Sequence, residues 1–349
     1  MADIEHKDFA KIPVIDCHMH ITSIEETANV LEIVSKTGFH RVSLLSMINE
    51  KRINYNPDVL FIKALHPEMF YAFGSLDYSF IFRKKPVQPI QDQVDRLLNI
   101  GFDGIKMVEG KPTCRKLLKI GFDEPFYKGY FKRVEETKMP LLFHVADPEE
   151  FWDPEKVPGW AKEQGWFYDQ TYPPKEQFYR EVDRVLCNHP DLKIIFAHFY
   201  FLSANIEAAS NLLENYKNVN LDLTPGIEMY YNFSMKIEAW REFFVKYQDR
   251  ILFGTDIFGG EKVETALTKA WLVREFLETE QGLSLPRHVL EKIYCGNFYR
   301  IVGSRPRKLQ IDLAIEECNR LAKEEAALSF KPLKKTAAEI VAERMRNLM

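Results

Sequence analysis

The chain has 349 residues, 46% of them hydrophobic and 13% aromatic, with a formal net charge of −4. That balance carries no basic field, so a nucleic-acid partner is not expected. No apolar run approaches the roughly 18 residues that cross a bilayer, so no membrane span is expected either. The opening MADIEHKDFAKIP has acidic residues and no apolar stretch, unlike a secretory leader. Five scattered cysteines (Cys17, Cys114, Cys187, Cys295, Cys318) form no CxxC pair. They suit a reducing compartment, and the cytoplasm is the expected location.

In chain order, the first β-rich segment is 14–18, followed by a helical pattern over 25–36 that places Ala28, Val30, Leu31 and Val34 on one stripe. Segments 41–46 and 70–76 come next. A helix over 91–100 follows, with Val94, Leu97 and Leu98 at helical spacing and Gly101 as its cap. Strand 104–108, helix 125–137 and strand 141–145 continue the alternation. After an irregular aromatic stretch come helix 176–187, strand 193–198, helix 206–216, strand 219–223, helix 237–247, strand 251–255 and helix 264–278.

Most of the strand segments are apolar runs, as strands buried on both faces require. Eight such strands with crossover helices predict an α/β fold, a (β/α)8 TIM barrel over residues 1–303. An open doubly wound sheet is disfavoured, because no glycine-rich loop follows the first strand. Residues 304–349 hold two amphipathic segments, 309–325 and 336–347, which form a helical extension packing on the barrel or on a second subunit. A homodimer is the expected assembly. Between His144 and Glu176 lie Trp152, Trp160, Trp166, Tyr168 and Tyr172, placed to cover the pocket mouth.

The chemistry gathers at strand ends. Ile15-Asp16-Cys17-His18-Met19-His20 puts two imidazoles two residues apart, on one side of a strand. Facing imidazole nitrogens suit a divalent cation, and zinc, manganese and iron all accept imidazole and carboxylate donors. His144 and His198 close the fifth and sixth segments and Asp256 follows the eighth. Polar groups ending apolar runs are costly to bury without a task, and the strand ends of such a barrel converge on one pocket.

This ordered set resembles the amidohydrolase superfamily, and within it the amidohydrolase-related branch that includes aminocarboxymuconate-semialdehyde decarboxylase. The motifs are the opening DxHxH, the two strand-end histidines, the Gly254-Thr255-Asp256 element and the closing Gly296-Asn297-Phe298. The resemblance implies that His18, His20, His144 and Asp256 bind a divalent metal, zinc first, with manganese or iron as alternatives. It implies that Asp256 and His198 are catalytic, His198 acting as an acid/base beside one metal or as a ligand to a second. Asp16 would orient a ligand or its neighbouring backbone. Lys106, on the fourth strand, has three readings: a carbamate bridging two metals, a cation gripping an anionic substrate, or a side chain extending to solvent.

The implied activity is hydrolysis of a C–N or C–O bond (amide, ester or lactone) in a small substrate by a metal-activated water. Lys106, Lys111 and Arg115 favour an anionic group and the aromatic stretch a ring. Trp160 and Glu228 join Lys106 as substrate-binding residues, with Thr224 and Tyr230 also near the pocket. A non-oxidative decarboxylase on the same ligands is the alternative, and a non-catalytic metal-binding scaffold is a second.

Overall fold

Eight apolar segments become parallel strands: β1 (Ile15–His20), β2 (Arg41–Leu45), β3 (Phe70–Gly74), β4 (Gly104–Gly110), β5 (Leu141–Val145), β6 (Ile194–Phe196), β7 (Val219–Asp222) and β8 (Ile251–Leu252), with β9 (Ile257–Phe258) completing the last segment. The computed structural model describes residues 9–50, 53–82, 89–226, 228–328 and 334–349. Each strand pairs in parallel with its chain neighbour from β1 to β8, and β9 pairs with β1. Two hydrogen bonds span the gap between β8 and β9: the Cys17 N–H to the Phe253 carbonyl (3.1 Å) and the Asp256 N–H to the His18 carbonyl (2.9 Å). The eighth segment therefore touches the seventh strand with one end and the first with the other. The sheet closes as a (β/α)8 barrel.

Closure divides the apolar residues into two cores. Ile15, Cys17, Tyr71, Phe73, Leu142, Ile195 and Leu252 pack inside the ring, and Phe298 and Ile301 of the helix Asn297–Ile301 join them. A larger layer lies between the strands and the surrounding helices, where the stripe residues Val30, Val34, Val94 and Leu97 are buried. This two-sided burial is why the strands read as continuous apolar runs.

One helix departs from the sequence expectation. Asn56–Leu65 is buried along nearly its whole length and so shows no amphipathic stripe. Part of its cover comes from the C-terminal helices Ile311–Leu328 and Ala337–Arg346, which pack on it. Ala314, Ile315, Cys318, Val341, Ala342 and Met345 share the main apolar cluster, and Arg320 reaches back to Asp77. Inside the barrel layer, Lys63 of the same helix is fully buried and bonded to Asp103 at 2.6 Å. Among the described residues no helix is long and apolar enough to cross a membrane.

Candidate metal centre

The C-terminal strand ends bring His18, His20, Lys106, His198, Asp222 and Asp256 together. His18 Nε2 lies 3.1 Å from His20 Nε2 and 3.5 Å from Asp256 Oδ1, and His20 Nε2 is 3.2 Å from the same oxygen. His198 shares a compact donor group with His18 and Asp256, all three ligand atoms lying within 4.8 Å of one another. The His144 ring stands 4.9 Å from the His198 ring, but its Nε2 is bonded to Asp147 Oδ1 at 3.0 Å. Lys106 Nζ lies 3.0 Å from His18 Nε2, in a side chain only 1% exposed, so this lysine does not extend to solvent.

Irregular backbone builds this geometry. The pairing of β1 with β2 shifts register between Asp16 and Met19, which places Ile15 and Cys17 in the inner core below His18 and His20. Asp16 holds the kink: Oδ1 accepts the His18 N–H at 3.0 Å and Oδ2 accepts the Thr255 hydroxyl at 2.6 Å. β6 ends at Phe196, earlier than expected from sequence. His198, Phe199, Tyr200 and Phe201 follow in the left-handed region, with φ of 53°, 54°, 55° and 52°. Left-handed backbone costs a non-glycine residue roughly 1–2 kcal/mol, and here burial of aromatic rings offsets it. Phe199 sits among Phe233, Trp240, Phe243 and Phe244, and Tyr200 stacks on Phe196 at 4.1 Å. The turn aims His198 at the centre. Asp256, expected directly after the strand, is likewise left-handed at φ 54°, in the break between β8 and β9. Gly254 makes the close approach possible, since a Cβ there would lie 2.6 Å from Thr224 Oγ1.

Burial sets the protonation states. It lowers the pKa of His18, His20 and His144, and takes His198 down to about 4, so all four rings are neutral near pH 7. For Asp256 burial acts upward, but the His20 hydrogen bond and the surrounding imidazoles outweigh it and hold the carboxyl well below its usual range. Its side chain is 29% exposed, against 0% for His18 and 5% for His20. Lys106 is pushed down to about 8, chiefly by burial. Neutral imidazoles converging on an ionised carboxylate are the donor set a divalent cation takes. His18 is also prepared for such a role from behind: its Nδ1 is bonded to Asp222 Oδ2 at 2.8 Å, which leaves the Nε2 lone pair facing the centre.

The amidohydrolase family model (Amidohydro_2) matches residues 79–303, well over half of the chain. The chain belongs to the amidohydrolase family. That match leaves out the first strand, whose His18 and His20 enter the centre by geometry alone. No curated protein matches the chain. Solved structures do: an uncharacterized TIM-barrel protein from Bordetella bronchiseptica is 15% identical, with a TM-score of 0.55 over 83% of this chain and 98% of its own. 2,6-Dihydroxybenzoate decarboxylase from Rhizobium is 16% identical (TM-score 0.51, 83% and 98%). 5-Carboxyvanillate decarboxylase from Sphingomonas paucimobilis is 12% identical (TM-score 0.52, 84% and 99%). At these identities the likeness establishes the barrel and nothing finer.

Several residues named from sequence sit elsewhere in this amidohydrolase than around the imidazoles. Lys111 pairs with Asp147 at 2.8 Å, and Arg115 is buried in a two-pronged bond to Glu181. Neither is free to grip an anion. Trp160 is 43% exposed and packs against Phe151 and Trp166 in the aromatic stretch's own cluster. That stretch is tied to the centre through Tyr168, whose hydroxyl donates to Asp147, the partner of His144. Thr224 Oγ1 lies 3.0 Å from His18 Nδ1, whereas the Tyr230 hydroxyl turns to the Leu223 carbonyl. Glu228 is partly buried, with neither carboxylate oxygen bonded.

Asp222 was missed in the sequence. It is fully buried and accepts the His198 N–H at 2.8 Å and the Thr224 N–H at 3.1 Å, besides holding His18. Its signal in the sequence is weaker than that of Asp256: it closes a strand, but Asn220 interrupts the apolar run Val219-Asn220-Leu221 before it.

Proposed function

We propose that the chain is a divalent-metal-dependent hydrolase, with zinc as the ion, acting on a C–N or C–O bond of a small molecule. The observation that supports this most is the convergence of His18 Nε2, His20 Nε2 and Asp256 Oδ1 within 3.1–3.5 Å of one another, with no proton-rich partner among them except Lys106. His18, His20 and Asp256 would hold the ion, together with His144, whose Nε2 is taken by Asp147 and which would offer Nδ1. Bound there, a divalent ion supplies Lewis acidity and lowers the pKa of water toward about 7.

The chain's own groups then divide the proton work. Asp256, ionised and the most exposed of the set, receives the proton of the attacking water and passes it to the leaving group. His198, neutral and fixed by its turn, hydrogen-bonds the oxygen on which negative charge develops. Lys106 adds a cation beside His18, suited to holding an oxyanion or a carboxylate. The test is metal content per chain together with turnover of an ester, lactone and amide panel. About one equivalent of metal is expected in the native protein, with loss of both metal and turnover in His18→Ala and Asp256→Ala. Native metal content in both variants would sink the proposal.

A second reading is non-oxidative decarboxylation. It is favoured by two neighbours of the same fold that carry decarboxylase in their names, and by Lys106 as a carboxylate anchor beside His18. Here Asp256 or His198 would protonate the carbon that loses CO2. Release of CO2 from a hydroxybenzoate by protein that leaves the ester panel untouched would select it.

A further inference from the structure

Three residues beyond His144 the chain brings a carboxylate back against the histidine ring. β5 ends in His144-Val145, and Ala146 then steps into the left-handed region at φ 63°, its N–H on the Gly110 carbonyl at 2.9 Å. Gly110 permits this approach, since a Cβ there would lie 2.1 Å from the His144 carbonyl oxygen. The step folds Asp147 back, and its Oδ1 meets His144 Nε2 at 3.0 Å in a side chain only 3% exposed. Asp147 is itself held from two sides. Lys111, just before the helix Pro112–Leu118, donates from Nζ to Oδ1 at 3.1 Å and to Oδ2 at 2.8 Å. The Tyr168 hydroxyl donates to Oδ2 as well. The same ammonium lies 4.1 Å from the centre of the Trp166 ring, so two aromatic residues of the 149–172 stretch close on one buried ion pair.

A carboxylate only accepts hydrogen bonds, so the neutral His144 ring must donate its one proton from Nε2. Nδ1 then carries the lone pair, and among the described residues it has no hydrogen bond. With the tautomer reversed, Nδ1 would present an N–H and could not bind a cation. Two donors from elsewhere in the chain fix the carboxylate, and the carboxylate fixes the ring.

We propose that Asp147 is the positioning residue that keeps the Nδ1 lone pair of His144 available to the metal, and that Tyr168 completes the site by holding Asp147 in place. The aromatic stretch is then a working part of the metal site. This rests on the reading of His144 as a ligand, and it gives Lys111 a task other than gripping an anion.

Zinc affinity of the full-length protein, measured by competition with a chelator, tests it without turnover. Asp147→Ala should bind zinc about 10–100-fold more weakly than native. Tyr168→Phe leaves the Asp147–Lys111 pair intact and so spares the fold; it should weaken zinc about fivefold, the worth of one hydrogen bond. In a His144→Ala background, Asp147→Ala should cost no further affinity, because a residue acting through His144 has nothing left to position. Lys116 ties the same stretch by a route that bypasses Asp147, bonding Thr171 at 2.7 Å and lying 3.9 Å from the Tyr172 ring. Lys116→Met should therefore stay within twofold of native. Native zinc affinity in a folded Asp147→Ala or in Tyr168→Phe overturns the proposal, and so does an equal loss from Asp147→Ala with and without His144. If His144→Ala itself binds zinc like native, the ligand reading of His144 falls with it. The expected losses in a protein that hydrolyses no ester, lactone or amide would keep this assignment and remove the hydrolase reading.

Discussion

Asp222→Asn is nearly isosteric, yet it should disarm His18. Oδ1 of Asp222 accepts two backbone N–H groups, from His198 at 2.8 Å and Thr224 at 3.1 Å, so the amide oxygen of an asparagine must take that place. The amide NH2 then occupies the Oδ2 position, 2.8 Å from His18 Nδ1. Two donors cannot face each other, so the imidazole must move its proton from Nδ1 to Nε2. That proton points at His20 and Asp256, where a lone pair is needed. Loss of a carboxylate that orients a ligating histidine costs about 10–100-fold in metal affinity, or about 1.4–2.7 kcal/mol. The fold should tolerate the change, because both backbone bonds survive and a buried carboxylate becomes neutral.

The assay is competition for zinc between the protein and a chromophoric chelator, with thermal melts of the metal-free forms alongside. The expected result is a 10–100-fold weaker zinc affinity with a metal-free Tm close to native. Zinc affinity within twofold of native, in a folded variant, would refute the argument that Asp222 sets the His18 tautomer.

Two further changes probe the structure around the centre. Glu109 of β4 is 1% exposed, and burial lifts its carboxyl from the usual 4.5 to about 7 despite a hydrogen bond from Tyr78. The folded protein therefore keeps this proton while the unfolded chain releases it, so this group makes stability fall as pH rises from about 4.5 to 7. Glu109→Gln should gain up to about 3 kcal/mol at pH 8 and almost nothing at pH 4, and urea unfolding curves of equal pH dependence for both proteins would contradict this. Tyr168→Phe removes the hydroxyl that ties the aromatic stretch to Asp147. Loss of about 1 kcal/mol of local stability should speed amide exchange across residues 149–172 roughly fivefold, and unchanged exchange there would show that the tie does not hold the stretch in place.

The barrel was legible because each strand is buried on both faces, which writes an uninterrupted apolar run into the chain. Its irregular ends were not. The left-handed turn at His198–Phe201 contains no glycine, and its conformation is imposed by where Phe199 and Tyr200 find aromatic partners. Those partners lie up to 45 residues away in sequence. Asn56–Leu65 escaped notice for the opposite reason: with cover on almost every side it has no polar face to set a period. The strand-end histidines and Asp256 were readable because burying such groups without a purpose is expensive, although Asp222 at the end of β7 went unread.

Whether a charge near those ends is free for a ligand was not readable, because freedom is a property of pairs. Lys111 and Arg115 look available beside β4 until Asp147 and Glu181, 36 and 66 residues further on, fold against them. Glu228 looks no different in sequence, yet both its carboxylate oxygens end up buried without a hydrogen-bond partner. The reach of a side chain to a centre follows from strand spacing, which is local. Its availability follows from which other loops arrive with a complementary group, and only the closed barrel decides that. Substrate recognition in this chain should therefore track the charges the fold leaves over, and neither Lys111 nor Arg115 is among them.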